Sequence, residues 1–517
     1  MSKPDSTTLS ARDKIKTVEE LADIVEALHA EGKKVVLCHG VYDLVHMGHV
    51  RHLEQAKKEG DVLIVTTTDD AHVNKGPGRP IFAEALRAEM LAALQYVDWV
   101  AINHTQTSEF VLDTIKPDVY VKGSDYENPE DDVTGNIARE REAVEKHGGQ
   151  MVFTRDITFS SSELINKYLG VYDRPLQDYL NGLRGTSAAQ EIIDLIDSVA
   201  DMRVLLIGDT IIDEYQYVVP MGKSAKESMI ATRFKDKEVF AGGVIAAANH
   251  VASLCREVEV ITVLGNLDSQ EEIIRHSLKP NVRLTPLHRD GIPTTRKCRQ
   301  IDPAYMRKLF EVYYFDDTPP DAAFEASINN LIAERAGDFD LVIVADFGHG
   351  MIMPSTIEVM RDKAKFLAVN TQTNSANIGY NLITRYPSAD YICIDAPEAQ
   401  LAVGDRTSEL DVVIAEQLAD KIDCPKFTVT HGRYGCVAYD REKGTVRIPA
   451  FTKTVVDTVG AGDAFLAVTS PLAAVGGNSE HIGFIGNAAG AMKVGILGHR
   501  SSVEKVPLMR FITTLLK

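Results

Sequence analysis

Residues 35–66 read VVLCHGVYDLVHMGHVRHLEQAKKEGDVLIVT. An apolar run, Val35–Cys38, passes through a glycine turn into a helix-spaced stretch and then a second apolar run, Val62–Thr66. Strand, helix, strand in that order predicts parallel strands joined by a right-handed crossover. Further outward, apolar runs at Trp99–Ile102, Val119–Lys122 and Met151–Thr154 alternate with helix-period segments near 49–59, 84–96, 108–115 and 136–147. Upstream, Val18, Leu21, Val25 and Leu28 recur at helical spacing, so a helix precedes the first strand. The reading is an α/β unit over 31–170, behind a tail and helix at 1–30.

Residues 171–200 contain no apolar strand and read as a linker and entry helix. A second α/β unit is predicted over 201–517. Its strands are expected at Arg203–Ile207, Val258–Val263, Leu341–Ala345, Phe366–Val369, Tyr391–Ile394 and Phe427–Thr430, with helices dominating after Ala461. The stretches 214–240 and 294–316 are polar and aromatic-rich without helical period, which predicts a small β lid.

Composition bounds the function. With 44% hydrophobic and 25% charged residues the chain is globular, not disordered, collagen-like or coiled-coil. Acidic residues number 74 against 55 basic ones, a net charge of −19, which argues against nucleic acid as the partner. The six cysteines form no CxxC pair, so free thiols in a reducing compartment are expected. The opening MSKPDSTTLSARDK has no apolar core of a secretory signal, and no run nears the ~20 apolar residues of a membrane span. The expectation is a soluble, cytoplasmic protein with no membrane partner.

The first candidate site is the turn after the first strand. In a parallel sheet, ligands sit beyond the carboxyl ends of the strands. Gly40, Tyr42 and Asp43 lie in a turn that feeds a helix N-terminus, where main-chain N–H groups and the helix dipole favour phosphate. His46 and His49, three apart at that helix start, can donate to phosphate oxygens as charge builds on a leaving pyrophosphate. The same pair also fits half a zinc site, with His39, Asp43 and His52 as neighbouring donors.

The stretch HGVYDLVHMGHVRHLEQAKKEGDVLIV resembles the nucleotidyltransferase superfamily that carries the HxGH signature. Its closest likeness is to the cytidylyltransferase-like branch, which includes the adenylyltransferase half of the bacterial heptose kinase/adenylyltransferase. KGPGRPIF (75–82), AEALRAEMLAALQYVDWV (83–100), DVYVKGSDY (118–126) and FSSSELINK (159–167) resemble later segments of that branch in the same order. The resemblance implies a Rossmann-like domain in which His46 and His49 stabilise the transition state and Lys75 and Arg87 neutralise phosphates. It also implies that Lys122 contacts the triphosphate or sugar phosphate and that Ser160, Ser161 and Ser162 present hydroxyls and N–H groups. The implied reaction is attack of a sugar phosphate on the α-phosphorus of ATP or CTP with Mg²⁺. His39 departs from the branch, where a small residue or Asn is commoner.

The second candidate site is DTVGAGDAF (457–465), which runs into an apolar helix. Gly460-Ala461-Gly462 at a helix start can turn successive N–H groups toward a phosphoryl group in transit. Asp463 is placed to take a proton from an attacking hydroxyl, although an Asp in this position can also simply cap a helix. The string resembles the ribokinase-like carbohydrate kinases, the phosphofructokinase B family, and heptose 7-phosphate-type kinases look like the nearest branch. GDTIIDEY (208–215) implies that Asp209 and Asp213 hold sugar hydroxyls, and AGGVIAAANHVASL (241–254) assigns Gly242, Gly243 and Asn249 to the substrate. VTHGRYGCVAY (429–439) places Gly432 and Gly435 on the nucleotide, and IGNAAGAMKVG (485–495) sets Asn487 beside the adenine. ATP and Mg²⁺ are the implied cofactors, and lids that pair between subunits imply a homodimer.

Three departures matter. The family's Asn-x-x-Glu metal motif is Asp395-Ala396-Pro397-Glu398 here, its Asp-Pro-Lys segment is Asn370-Thr371-Gln372, and its Asp-Tyr-Gly-Lys-Gly loop is Asp346-Phe347-Gly348-His349-Gly350. They leave open a kinase half that binds sugar without turnover. Met221-Gly222-Lys223-Ser224 mimics the end of a phosphate-binding loop, but Tyr217 stands where its first Gly would be. The whole reads as a bifunctional sugar-activating enzyme of the nucleotide-sugar type.

Overall fold

The computed structural model describes residues 10–123, 136–154, 161–316 and 318–517. Contacts divide the chain into two compact units, Met1–Asp173 with Met509–Lys517, and Arg174–Leu508.

The first unit is a five-stranded sheet of β1 (Val35–Gly40), β2 (Val62–Thr68), β3 (Trp99–Asn103), β4 (Val119–Gly123) and β5 (Gln150–Thr154). Its order is β3-β2-β1-β4-β5, and every neighbouring pair is parallel. Strand side chains alternate between faces, and here both faces are covered. Val35, Leu37, Val62 and Ile64 enter one apolar cluster, whereas Val36, Cys38, Leu63 and Val65 enter another. That is why the two decisive runs are apolar throughout. The helices are α1 (Val18–Ala30), α2 (Met47–Lys57), α3 (Glu84–Ala92), α4 (Glu109–Ile115), α5 (Asn136–Glu145) and α6 (Ser161–Tyr168). A reciprocal cap starts α1: Glu20 N–H donates to Thr17 Oγ1 and Thr17 N–H to Glu20 Oε2. Val18, Leu21 and Val25 then face the core.

The sheet order reverses direction at β1, whose neighbours are β2 and β4. The crevice at that switch point lies beyond Gly40 and Gly123. The last residues of the chain belong to this unit: Phe511, Ile512 and Leu515 are buried, and Asn166 Nδ2 on α6 donates to the Thr514 carbonyl at 2.7 Å.

The second unit holds a nine-stranded sheet and a four-stranded one. Its strands are β6 (Arg203–Gly208), β7 (Thr210–Lys223), β8 (Ile230–Gly243), β9 (Glu257–Gly265), β10 (Val282–Arg289), β11 (Arg296–Asp302), β12 (Arg307–Tyr314), β13 (Leu341–Asp346), β14 (Leu367–Thr371), β15 (Tyr391–Asp395), β16 (Lys426–Thr430), β17 (Cys436–Asp440) and β18 (Gly444–Ile448). The large sheet runs β10-β9-β6-β13-β14-β15-β16-β17-β18, parallel as far as β16 and antiparallel after it. The expected lid is the sheet β12-β11-β7-β8. Its centre is a parallel pair, β11 on β7, which sets Lys297 opposite Asp213. Residues 171–200 contain two helices, Arg174–Leu183 and Ala188–Asp197.

All six cysteines are buried and unpaired. Among the described residues no helix is long and apolar enough to cross a membrane.

Candidate functional site

In the first unit, β1 ends at Gly40 and the turn to α2 closes on His46, the N-cap of that helix. Gly48 N–H donates to His46 Nδ1 at 3.1 Å, which satisfies one of the free amides of the first turn. The His46 and His49 rings stack with centroids 4.0 Å apart, and Tyr42 meets His49 edge-on at 5.1 Å. Burial holds His46 below its ordinary value, with Lys75 adding to the effect. Burial, then His46 and Lys75, brings His49 down to about 3. Burial and Arg79 lower Lys75 to about 8. Each of these groups loses charge because positive neighbours surround it in a dry place. An anion seated there would oppose each of these shifts.

The loop that carries Lys75 is tied down from behind. Asp43 is fully buried, pairs with Arg79 and accepts the Ile81 N–H at 2.6 Å. Arg87 has no exposed surface. It donates to the carbonyls of Phe82 (2.9 Å) and Val41 (2.6 Å), to Thr67 Oγ1 (2.7 Å) and to Asp70 Oδ1 (2.6 Å). Asp43 and Arg87, expected on nucleotide and phosphate, are thus placed as brackets of the two loops that frame the site. Gly76 has φ +91, and a side chain there would collide with the Phe511 ring at 1.9 Å. The helix segment at 509–517 therefore backs the same loop.

Ser161 donates to the Leu44 carbonyl at 3.2 Å, which brings the start of α6 to the turn between β1 and α2. Ser162 is buried beside it, and Ser160 lies outside the described residues. Lys122, at the end of β4, pairs with Glu140 at 2.9 Å. The zinc alternative loses its donors. His39 bonds Thr66 and Thr68, His52 bonds Thr154, and Asp43 holds Arg79. Among the described residues no cluster of three metal-ligating side chains occurs.

In the second unit, a cavity of about 510 Å³ opens at the GAGD turn. Gly460 takes a left-handed φ of +76 immediately before the helix Ala461–Ala474, a conformation that favours glycine. Gly460, Ala461, Gly462 and Asp463 all line the cavity. Asp463 is 8% exposed, and burial raises its carboxyl above the ordinary range. Gly432, Gly435 and Asn487 line the same space, and Asn487 Nδ2 donates to the carbonyls of Ile448 and Pro449. Asp213 and Gly243, expected on the sugar, line it too.

Asp395 and Glu398 also line it, locked in a reciprocal cap of the helix Ala396–Val403. Thr373 N–H donates to Glu398 Oε1 at 2.8 Å. Burial, with Asp395 beside it, pushes Glu398 up to about 8. Three predicted substrate residues do not line the cavity: Gly242 lies directly behind Asp213, and two others fall elsewhere. Asp209 accepts the N–H groups of Phe347 (3.0 Å) and His349 (3.3 Å) and lines a smaller neighbouring cavity. Asn249 bonds the backbone of Ser277 and Lys279.

Sequence reasoning missed Lys297, Arg299 and His499. Lys297 and Arg299 stand two apart on β11, hence on one face, and both line the cavity. Arg299 pairs with Asp213 and with Glu311. His499 lies 3.2 Å from Asp213. The alternating Lys-x-Arg of a lid strand was the one signal available in the sequence.

Residues 201–506 match the model of the pfkB family carbohydrate kinases. The chain belongs to the pfkB family. Ahead of this pfkB region, residues 37–167 match the cytidylyltransferase-like model. The bifunctional protein HldE of Geobacter metallireducens is 42% identical over 165 residues, 31% of this chain and 32% of that one. The HldE protein of Azotobacter vinelandii is 45% identical over 136 residues, 26% and 27% of the two chains. The matched stretch is thus about a third of the length of these curated relatives. Phosphofructokinase-2 from Escherichia coli superposes with a TM-score of 0.50 over 61% of this chain and 100% of its own, at 13% identity, and so shares the pfkB fold.

Proposed function

We propose a bifunctional sugar-activating enzyme. The pfkB unit phosphorylates a sugar or sugar phosphate of the heptose type with ATP. The cytidylyltransferase-like unit joins a sugar 1-phosphate to ATP or CTP and releases pyrophosphate. The observation that carries the kinase half is the convergence of Asp463, the 460–462 turn and two lid cations on one cavity. In that reaction the sugar hydroxyl gives its proton to Asp463, and its oxygen bonds the γ-phosphorus. The bond from that phosphorus to the bridging oxygen breaks, and ADP leaves. The amides at 460–462 receive the charge that develops on the phosphoryl oxygens.

Mg²⁺ fits the donors present. Glu398 and Asp395 are two carboxylates on the cavity wall, and burial with Asp395 beside it raises the Glu398 carboxyl, a shift that a cation between them would oppose. They would hold the ion, partly through water, and it would supply charge neutralisation of the ATP phosphates. In the first unit, stacked His46 and His49 with Lys75 favour attack of a sugar phosphate oxygen on the α-phosphorus, with departure of pyrophosphate.

Exposed Met221, Met229, Ile230, Phe234, Phe310 and Tyr314 on the lid support a homodimer through that sheet. Buried, unpaired cysteines accord with a cytoplasmic location.

The test is the full chain assayed for ADP and for pyrophosphate against heptose, mannose and fructose, their terminal phosphates and their 1-phosphates. Both products are expected. Pyrophosphate without ADP, despite sugar binding, would reduce the pfkB unit to a binding module. Neither product would overturn the reading.

A further inference from the structure

His499 sits where the two halves of the pfkB cavity meet. A side chain on Gly242, in the sugar signature, would fall 2.1 Å from Asp213 Oδ2 and 3.0 Å from His499 Nε2. A side chain on Gly460, in the phosphoryl turn, would fall 2.5 Å from His499 Cε1 and 3.1 Å from Nδ1. The ring is thus wedged between the acceptor side and the phosphoryl side, in space that only glycines leave.

The ring is also held still. Its side chain is 6% exposed, with Nε2 3.2 Å from Asp213 Oδ2. Buried Lys493 donates to the Val459 carbonyl at 2.8 Å and to the Gly498 carbonyl at 2.7 Å. One ammonium therefore pins the residue before Gly460 and the residue before His499 together. Gly498 N–H in turn donates to Asp457 Oδ2 at 2.9 Å.

An ionised carboxylate only accepts, so Nε2 carries the proton shared with Asp213, and in the neutral form of an imidazole so oriented the lone pair falls on Nδ1. Nδ1 is buried with no hydrogen-bond partner among the described residues. Buried polar atoms of native proteins are paired, and an unpaired one on a residue that lines the cavity calls for a ligand group. We propose that His499, oriented by Asp213, accepts a hydrogen bond at Nδ1 from a hydroxyl of the acceptor sugar and sets that sugar against Asp463. This rests on the kinase reading above. It makes His499 a substrate-binding residue that selects polyhydroxylated acceptors.

The test uses the full chain, with sugar binding by calorimetry and turnover measured separately. The probes are heptose, mannose and fructose, their terminal phosphates, and monodeoxy analogues of the tightest binder. His499→Gln retains a donor toward Asp213 and removes the acceptor. It should weaken sugar binding about ten-fold, the worth of one hydrogen bond, while KM for ATP holds. One deoxy analogue should lose a similar factor with the wild type and nothing further with His499→Gln. His499→Asn, which restores an acceptor near Nδ1, should recover part of the loss. Pyrophosphate release by the other unit serves as the folding control.

Sugar affinity within two-fold of wild type in His499→Gln, or equal losses for every analogue in both proteins, would overturn the assignment. Weakened binding in a protein that never turns over ATP would sustain His499 and sink the kinase reading. A wild type that binds none of the probes would sink both.

Discussion

In the cytidylyltransferase-like unit the candidate site gathers imidazoles and Lys75, whereas the pfkB cavity sets carboxylates and main-chain amides against the lid cations Lys297 and Arg299. Lys75 and His49 in the one, Glu398 and Asp463 in the other, are buried and titrate in the direction that sheds charge. Lys75 falls to about 8 and His49 to about 3, while Glu398 rises to about 8 and Asp463 rises as well. The first site has an excess of positive groups and is completed by phosphate. On the proposed function, Glu398 and Asp395 in the second receive a cation that arrives with the nucleotide. On the proposed function both halves carry out displacement at phosphorus with different buried groups, and they should break in different ways.

The sharpest break is Asp463→Asn. It removes the proton acceptor, and ADP formation should fall by about a thousand-fold while pyrophosphate release stays at wild-type rate. Loss of both activities would mean that the variant damages the fold. His46→Ala or His49→Ala should do the reverse. Pyrophosphate release should fall about a hundred-fold and ADP formation should persist, as for removal of one transition-state donor.

The backing of the Lys75 loop gives a smaller effect. Gly76→Ala drives a methyl into the Phe511 ring and should cost about 1–3 kcal/mol of stability in that unit, with KM for the nucleotide raised and kinase turnover unchanged. Thermal unfolding and the two assays would check it. Phe511→Ala should displace the same loop by removing its support, and Gly76→Ala made in that background should lose most of its penalty.

Much of this was legible in the chain. HGVYDLVHMGH and DTVGAGDAF are local strings, and each folds into the strand-to-helix turn or helix start that its spacing predicts. Strands β1, β2 and β4 showed as apolar runs because both of their faces are buried. What the chain concealed depends on distant pairing. Arg87 was expected on phosphate, yet the fold surrounds it with the carbonyls of Phe82 and Val41. Lys297 reaches the cavity only because β11 pairs with β7, and His499 only because Lys493 pins its loop to Val459. The alliance of residues 509–517 with the first unit rests on Phe511 against Gly76 and Thr514 against Asn166. No spacing rule joins positions so far apart.

This difference in buried groups is tested most directly by the pH dependence of kcat/KM for each activity, measured on one preparation of the full chain. Lys75 must be protonated to hold phosphate, so pyrophosphate release should decline as pH rises through about 8. Asp463 must be ionised to take the proton, so ADP formation should decline as pH falls, with a midpoint above the ordinary aspartate value of 3.8. Opposed limbs of this kind are the predicted result. Two profiles that decline on the same side, or an acid midpoint for the kinase at or below 3.8, would contradict it.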